Sequence, residues 1–224
     1  YPGTQMHRTM AVIKSEGFEK PLLLDIMKIA SVTKNQYDLP FYYMGQVLSD
    51  NFDYDSPATL KPLGRKNGYQ HLYLEGIGKP SSNSTQFSWL GNGKYYTLTS
   101  ATEQSDELLL TRLGAKDPEF NLRRDAGVMI RRKDSDNTTF VSIVEPHGSY
   151  SPVSELSVNS NSNIAELNVV LDESNYTAVE IKDVKGQSSL FILSNVDASA
   201  SQQHQVKIDG KIYKWKGAYL YTDG

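Results

Sequence analysis

Short apolar runs separated by turn-forming residues make up most of this sequence. The runs are rich in Val, Ile, Tyr and Phe and are bounded by Gly, Pro, Asn and Asp, a pattern typical of β-strands. Two of the turns, Asn92-Gly93 and Asp209-Gly210, tolerate the positive φ angles of a type I′ hairpin. Convincing helical periodicity is absent, so the pattern predicts about seventeen strands.

The run from Leu22 to Ile29 is apolar at nearly every position. Because Pro21 opens the run and neither face is polar, it predicts a strand buried on both faces rather than a helix. So many strands exceed what one flat sheet holds, since sheets of that size split into packed layers. The sequence therefore predicts an all-β protein, a large two-layer antiparallel β-sandwich formed as a single domain over residues 1–224.

The composition of the chain limits the kinds of molecule and chemistry that can be expected of it. The chain has 224 residues, a formal net charge of −3 and an isoelectric point near 5.8, so no basic surplus exists to attract a nucleic acid. There is no cysteine, which excludes disulfides and thiolate chemistry, and no apolar run is long enough to span a membrane. The sequence opens on Tyr1 without a signal peptide, and we expect that an N-terminal portion of the protein is missing.

Tyrosine is concentrated in two segments of the chain. Residues 36–45 are Gln-Tyr-Asp-Leu-Pro-Phe-Tyr-Tyr-Met-Gly, and residues 68–76 are Gly-Tyr-Gln-His-Leu-Tyr-Leu-Glu-Gly. Tyrosine can stack on sugar rings, donate hydrogen bonds and transfer protons. It also favours half-buried strand positions, so composition alone leaves a purely structural role open.

These two segments resemble the C-terminal part of the heparinase II/III-like polysaccharide lyases, in particular the oligoalginate lyases of polysaccharide lyase family seventeen. The resemblance continues through Met6-His7-Arg8-Thr9-Met10, residues 121–125 and residues 145–150, and covers roughly residues 1–150. It implies a β-sandwich that follows an N-terminal helical toroid in an enzyme that cleaves uronates by β-elimination. Asn35 departs from the family pattern, which has His there, so the role of that His is not carried over.

The resemblance also implies a structural Zn²⁺, for which His7, Asp25 and His71 are the matching positions. Two histidines and one carboxylate suit zinc with water as the fourth ligand. Without the resemblance, the spacing favours two unrelated histidines. Asp25 lies inside an apolar run, where an unpaired carboxylate would be costly, so a metal ion or a basic partner such as Arg8 must compensate its charge.

Tyr42 is the best match for the tyrosine that the sandwich of these lyases contributes to the reaction, and Tyr43 is the second. Tyr37 and Tyr43 should share one strand face and Tyr42 the other, although Pro40 predicts a bulge or a sheet edge between them. A tyrosine serves as acid or base where nearby cations lower its pKa from about 10. We predict Tyr42 as catalytic, and Tyr43, Tyr37 and His147 as substrate-binding.

The remaining polar clusters are ambiguous from sequence alone. His147 stands at a strand-to-turn transition before Gly148, where it could equally line a cleft or bond to the backbone of a turn. His204 is predicted to be exposed. The basic segments 123–124 and 131–133 could attract a polyuronate, but neighbouring aspartates favour a solvated, structural face.

Two classes of function follow. In the first, the chain is the C-terminal domain of an exo-acting oligoalginate lyase, inactive alone because the general base lies in the missing toroid. In the second, it is a sugar-binding or supporting module without chemistry. Heparin-like glycosaminoglycans are the competing substrate class. The expected partners are an acidic, alginate-derived oligosaccharide and the helical domain, with a homodimer left open, and the expected location is periplasmic or secreted in a bacterium.

Overall fold

The computed structural model of the protein describes residues 3–114 and 125–223. Within these ranges the chain forms seventeen β-strands and one 3₁₀ turn, Tyr69–His71, and no α-helix. No helix in this described part could cross a membrane. The strands are β1 (Thr4–Ile13), β2 (Leu22–Tyr43), β3 (Gln46–Asp50), β4 (Tyr54–Asp55), β5 (Leu72–Gly78), β6 (Ser84–Gly91), β7 (Lys94–Ala101), β8 (Glu107–Leu113), β9 (Asp125–His147), β10 (Ser149–Ser151), β11 (Leu156–Val158), β12 (Ile164–Asp172), β13 (Tyr176–Asp183), β14 (Ser188–Ser194), β15 (Gln203–Ile208), β16 (Lys211–Lys216) and β17 (Tyr219–Asp223).

Two long strands, β2 with 22 residues and β9 with 23 residues, organise the larger sheet. They pair antiparallel along most of their lengths, and register shifts on either side of Asn35 mark where they bend. The bend of β9 places Asp134 at a positive φ of 53°. The sequence pattern predicts two strands in each place, over residues 20–31 and 37–49 and over residues 127–133 and 138–146, because the polar residues at the bends look like loops. In the structure the chain stays extended through both bends.

The bend divides the nine-stranded sheet into two arms. The first arm contains β1, the first half of β2, the second half of β9, then β7, β6 and β3. The second arm contains the other halves of β2 and β9, then β8, β5 and β4. The arms share one apolar core, called the central core here, formed by Ile29, Leu39, Phe52, Phe87, Leu98, Leu108, Val128, Ile130 and Phe140.

A second sheet, in the order β12-β13-β14-β17, packs on the other face of the first arm. Leu24 of β2 faces this sheet, while Ile29 faces the central core. The prediction that Leu22 to Ile29 is a strand buried on both faces is therefore confirmed. The hairpin of β15 and β16 covers the far side of the second sheet through Trp215.

The all-β sandwich prediction is confirmed, with the larger sheet curled rather than flat. Both predicted hairpin turns are present, since Asn92 and Gly93 have φ angles of 50° and 71°, and Asp209 and Gly210 have 46° and 84°. The assignment of residues 1–224 to one domain stays a prediction. The sequence pattern also predicts a strand over residues 120–124, which lie outside the described residues.

Candidate functional site

The second half of β2 distributes its tyrosines between two faces. Tyr37 and Tyr43 pack against the central core, while Tyr42 points outward and is 53% exposed. This alternation agrees with the prediction. The register with β9 runs without a shift from Tyr37 to Tyr43, so the bulge predicted at Pro40 is absent. The alternative prediction of an edge is confirmed, because β1 ends its pairing at Ser31 and no other described strand joins β2 here.

Tyr42 lies beside a glycine that leaves room for its ring. Its cross-strand partner on β9 is Gly127, and a Cβ built there would lie 3.3 Å from Tyr42 Cδ1 and 3.1 Å from Thr111 Oγ1. Contacts that short are tighter than ordinary van der Waals packing. The missing side chain therefore allows the ring to lie against the β9 backbone, while more than half of Tyr42 stays open to solvent.

Tyr43 has the opposite surroundings. Its ring lies 5.0 Å from that of Phe87 and 5.7 Å from that of Trp89, measured between centroids. Burial raises the pKa of the Tyr43 hydroxyl, and the nearby charge of Glu75 raises it further, against a smaller lowering by Arg112. A hydroxyl that holds its proton so firmly is a poor base, and the ring contacts indicate a packing role for Tyr43.

A cavity of about 560 Å³ opens beside the bend of β2. We call it the bend cleft. Buried Ile29 and Phe140 line its inner part, and exposed Thr33 and Asn35 line its outer part. An apolar cavity with a few convergent polar groups is the usual form of a small-ligand site. The residues that line it are Thr4, Met6, Met27, Ile29, Thr33, Asn35, Gln36, Tyr37, Asp38, Leu39, Asn67, Tyr69 and Phe140.

Asn35, at the position where a His was expected, holds the bend together. Its Nδ2 donates to the carbonyl of Thr33 at 2.8 Å and lies 3.1 Å from Ser31 Oγ. The same nitrogen is 3.4 Å from the hydroxyl oxygen of Tyr37. Asn35 therefore stabilises the wall of the bend cleft beside Tyr37, which the structure places inside that cleft as a half-buried ring.

An ionic network joins the bend cleft to the outer face of β2. Arg131 Nε and Nη2 each donate to one oxygen of Asp38 at 2.8 Å, and the Tyr69 hydroxyl donates to Asp38 Oδ2 at 2.5 Å. The hydrogen bond to Asp38 raises the pKa of the Arg131 guanidinium above its usual value. Because alternate strand residues share a face, Asp38 and Tyr42 lie on the same side of β2.

This network links the two tyrosine-rich segments, and sequence reasoning missed it. Tyr69 opens the 3₁₀ turn that ends at His71, and the backbone N–H of Gly114 donates to the His71 carbonyl at 2.8 Å. The turn is thereby held against the outer face of the second arm. Asp38 and Tyr69 each stand inside a segment singled out above, but nothing in a single sequence indicates that the two segments meet.

The three predicted metal ligands do not come together in this structure. Arg8 Nε and Nη2 donate to the two oxygens of Asp25 at 2.9 and 2.6 Å, so Arg8 is the basic partner foreseen as the alternative to a metal. His7 neighbours Arg8 on β1 and therefore points to the opposite face from Asp25, while His71 is exposed on the second arm.

Among the described residues no three His, Asp or Glu side chains are grouped so that they could hold a metal ion. The residues named for zinc thus do not fit such a site in this arrangement. Zinc stays a prediction, without a ligand set in the described part of the chain.

His147 is buried rather than presented to a cleft. It is 2% exposed, its Nδ1 donates to the carbonyl of Asn159 at 2.8 Å, and its Nε2 lies 2.9 Å from Thr97 Oγ1. The ring also stacks on Tyr95. With both nitrogens occupied, His147 matches the backbone-bonding alternative and is not available to bind substrate.

Two other predictions from the sequence can be compared with the structure. His204 is buried rather than exposed, because it stacks on Trp215 at a centroid distance of 5.1 Å under the β15–β16 hairpin. The structural interpretation of residues 131–133 is confirmed, since Arg131, Arg132 and Lys133 pair with acidic residues. Those partners are Asp38, Asp106 and Glu107, not the nearby aspartates that were expected. The prediction that this face is solvated is wrong for Arg131 and Arg132, whose side chains are largely buried. Residues 123–124 lie outside the described residues.

Known proteins resemble this chain along its whole length. No protein-family model matches it. It is 32% identical over 224 residues to a protein named alginate lyase from Stenotrophomonas maltophilia strain K279a, with 100% of this chain and 30% of that relative covered. It is 29% identical over 221 residues to a protein named exo-oligoalginate lyase from Saccharophagus degradans, with 97% of this chain and 30% of that relative covered. The chain therefore spans less than a third of the length of the relatives that it matches.

Proposed function

We propose that this chain is the β-sandwich portion of a polysaccharide lyase that cleaves alginate-derived uronate oligosaccharides from one end. Its similarity to a protein named alginate lyase and to one named exo-oligoalginate lyase supports this assignment. The two tyrosine-rich segments, residues 36–45 and 68–76, also support it through their resemblance to heparinase II/III-like lyases. The single observation that carries the proposal is Tyr42, an exposed tyrosine whose ring lies against Gly127.

The proposed reaction is a β-elimination. A base takes the proton from C5 of the uronate, a C4–C5 double bond forms, the bond from C4 to its glycosidic oxygen breaks, and an acid protonates that oxygen. A nearby cation must neutralise the uronate carboxylate, because this makes the C5 proton more acidic. Tyr42 supplies a hydroxyl that hydrogen-bonds the uronate or carries a proton to the leaving oxygen.

Three arginines in the described part of the chain are already engaged. The guanidinium groups of Arg8, Arg131 and Arg132 are each bound to a carboxylate, so none of these three is free to neutralise a uronate. Following the resemblance to lyases with an N-terminal helical toroid, we assign the base and the carboxylate-binding cation to a portion of the parent protein outside this chain. Zinc plays no step in the proposal, and a homodimer and a periplasmic or secreted location stay predictions.

The bend cleft gives the sandwich a second contact with substrate. Tyr37 and Tyr69 offer ring surface, and the Oδ1 atom of Asn35 and the side-chain amide of Asn67 can bond to sugar hydroxyls. Asp38 and Tyr69 line the cleft and also reach the face that carries Tyr42. A substrate that spans both places would thus contact the sandwich on either side of this network.

Assay of the full-length protein tests the proposal directly. Oligomannuronates and heparin-derived oligosaccharides are incubated separately with the protein, and the ultraviolet absorbance of the new C4–C5 double bond is recorded with time. We expect turnover of the oligomannuronates, release of unsaturated monouronates, and no turnover by the 224-residue chain alone. Absence of unsaturated product with every uronate would overturn the lyase assignment in favour of a binding or supporting module. Preference for the heparin-derived chains would overturn the substrate class alone.

A further inference from the structure

A second cavity, of about 490 Å³, lies where the bend of β9 meets β12 of the second sheet. We call it the inter-sheet groove. It is separate from the bend cleft, since the two share no lining residue. Its lining residues are Asn83, Ala101, Thr102, Glu103, Gln104, Arg132, Asn137, Thr138, Thr139, Leu167, Asn168, Val169 and Asp172.

The charges in the groove are already paired. Arg132 Nε and Nη2 donate to Asp106 at 2.8 and 2.7 Å, and its Nη1 donates to Thr138 Oγ1 at 2.6 Å and lies 3.0 Å from Glu103. Lys28 pairs with Asp172 at the other end. Three carboxylates thus face two cations, which leaves the groove with a net charge of −1 and makes it unfavourable for an anionic uronate.

One buried hydroxyl in the groove has no partner. Thr139 is 7% exposed, and its Oγ1 makes no hydrogen bond with any described residue. A buried polar atom without a partner is destabilising, so native proteins rarely keep one unless something else satisfies it. Thr139 lines the groove, but its Oγ1 is itself closed to solvent. A ligand that enters the groove can therefore supply the missing bond only when the side chain rotates about χ1 and turns the hydroxyl toward it.

The groove offers groups that suit hydroxyls. Asn83, Gln104 and Asn137 present amides, each with donors and an acceptor. Such groups can bond to neighbouring hydroxyls of a sugar, which themselves both donate and accept. The amide nitrogen of Asn168 is already shared between Glu166 and Glu180. No aromatic ring lines the groove, so there is no stacking platform to strengthen binding.

We propose that the inter-sheet groove is a binding site for a neutral, hydroxyl-rich ligand of the size of a short oligosaccharide, with the Thr139 hydroxyl as one of its contacts. This site does not depend on the proposed lyase activity. The net negative charge of the inter-sheet groove disfavours anionic uronates, which are the ligands that the lyase site must bind.

A titration followed by NMR tests the site, with the amides of the ¹⁵N-labelled chain as the probe. Two ligands are compared, β-1,4-mannotriose and the corresponding mannuronate trimer, which differ in that a carboxylate replaces each hydroxymethyl group. We expect mannotriose to shift the amides of Gln104, Asn137 and Thr139 with a dissociation constant of about 1 mM, as is usual for a contact made mainly of hydrogen bonds. The mannuronate trimer should leave these amides unchanged.

Substitutions then assign the binding to the groove. Thr139→Val keeps the side-chain shape and should weaken mannotriose binding about two- to ten-fold, the equivalent of one hydrogen bond. Gln104→Ala, at an exposed position, should weaken it without affecting folding. Thr222→Val is the matched control, because β17 is on the far edge of the second sheet from β12.

Two results would overturn the proposal. One is the absence of any shift in the groove amides at 20-fold the expected constant, or about 20 mM mannotriose. The other is equal binding by the Thr139→Val, Gln104→Ala and Thr222→Val variants, which would place the sugar elsewhere. If Thr139→Val lowers the melting temperature while mannotriose has no effect, the hydroxyl is satisfied by water and the groove binds no sugar.

Discussion

The two halves of β2 have different neighbours and therefore different roles. The first half lies between β1 and β9 and is buried on both faces. The second half pairs with β9 alone, and one of its faces packs on the central core. On the other face Asp38 is covered by Arg131 and Tyr69, while Tyr42 is open to solvent. Because the second half of β2 lacks one neighbouring strand and the covering second sheet, it can present Tyr42 to a substrate, whereas the first half is purely structural.

Each half also carries one carboxylate held by two hydrogen bonds from an arginine. Asp25 is bound by Arg8, which lies on the edge strand β1 and whose side chain is 45% exposed. Asp38 is bound by Arg131, whose side chain is 13% exposed, and Asp38 itself is 4% exposed. The chemistry is the same in both places, but water can replace Arg8 more readily than Arg131. The following predictions test this difference.

Arg131→Met should have the largest effect on stability. It leaves the buried Asp38 carboxylate without its cation and with only the Tyr69 hydroxyl donating to it, which costs about 3–5 kcal/mol of unfolding free energy. Urea denaturation measures the loss. Lys133→Met is the matched control, because Lys133 is a neighbouring, more exposed cation paired with Glu107, and losing a surface pair costs about 0–1 kcal/mol. Equal losses of unfolding free energy in the two variants would show that the Asp38–Arg131 pair contributes no more to stability than a surface pair.

Arg8→Met should have a smaller effect, about 1–3 kcal/mol, because Arg8 is exposed and water can take the place of its guanidinium beside Asp25. The same variant also tests whether Asp25 binds zinc. If Arg8 is the true partner of Asp25, the substitution lowers the melting temperature and a chelator leaves that of the unsubstituted protein unchanged. A fall in melting temperature on chelation, lost in His71→Ala, would instead show that Asp25 and His71 share a metal and that the Arg8 pair is incidental.

Gly127→Ala should impair activity more than stability. The added methyl group would press on Tyr42, and a displacement of a few tenths of an ångström is expected to lower kcat/KM of the full-length protein by about three- to ten-fold. The melting temperature should change little, because lost chain entropy in the unfolded state offsets the crowding. Steady-state kinetics and calorimetry measure the two effects. Unchanged kinetics would show that Gly127 does not position Tyr42.

Tyr43→Phe should have the smallest effect, visible in the pH dependence of stability. The pKa of Tyr43 is raised above its ordinary value of 10.0, chiefly by burial, so the folded state favours the protonated hydroxyl. Its contribution to stability is present below about pH 10 and is lost as pH rises through the raised value. Above pH 10 the melting temperature of the unsubstituted protein should therefore fall more steeply with pH than that of the Tyr43→Phe variant. Differential scanning fluorimetry can measure both. Parallel pH profiles would contradict burial of this hydroxyl.

The fold was largely predictable because its signals are local. The apolar run from Leu22 to Ile29, the alternation around Tyr42 and the Asn-Gly and Asp-Gly turns each depend on a few consecutive residues. The curl of the larger sheet was not predictable, because polar residues at the bends of β2 and β9 look like loops. Contacts between distant residues were also missed. Asp38 meets Arg131, 93 residues away, and His147 is buried by Asn159 and Thr97, which no local pattern indicates.

The central claim is that Tyr42 acts in function while Tyr43 acts in packing, and a pair of substitutions in the full-length protein tests it most directly. For each of Tyr42→Phe and Tyr43→Phe, kcat/KM on oligomannuronates and the melting temperature are measured together. Tyr42→Phe should lower kcat/KM about ten- to a hundred-fold if its hydroxyl binds the uronate, or about 10²–10⁴-fold if it carries a proton, with the melting temperature unchanged. Tyr43→Phe should leave kcat/KM near that of the unsubstituted protein. Normal kinetics in Tyr42→Phe, or an equal loss of kcat/KM in both variants, would contradict the account.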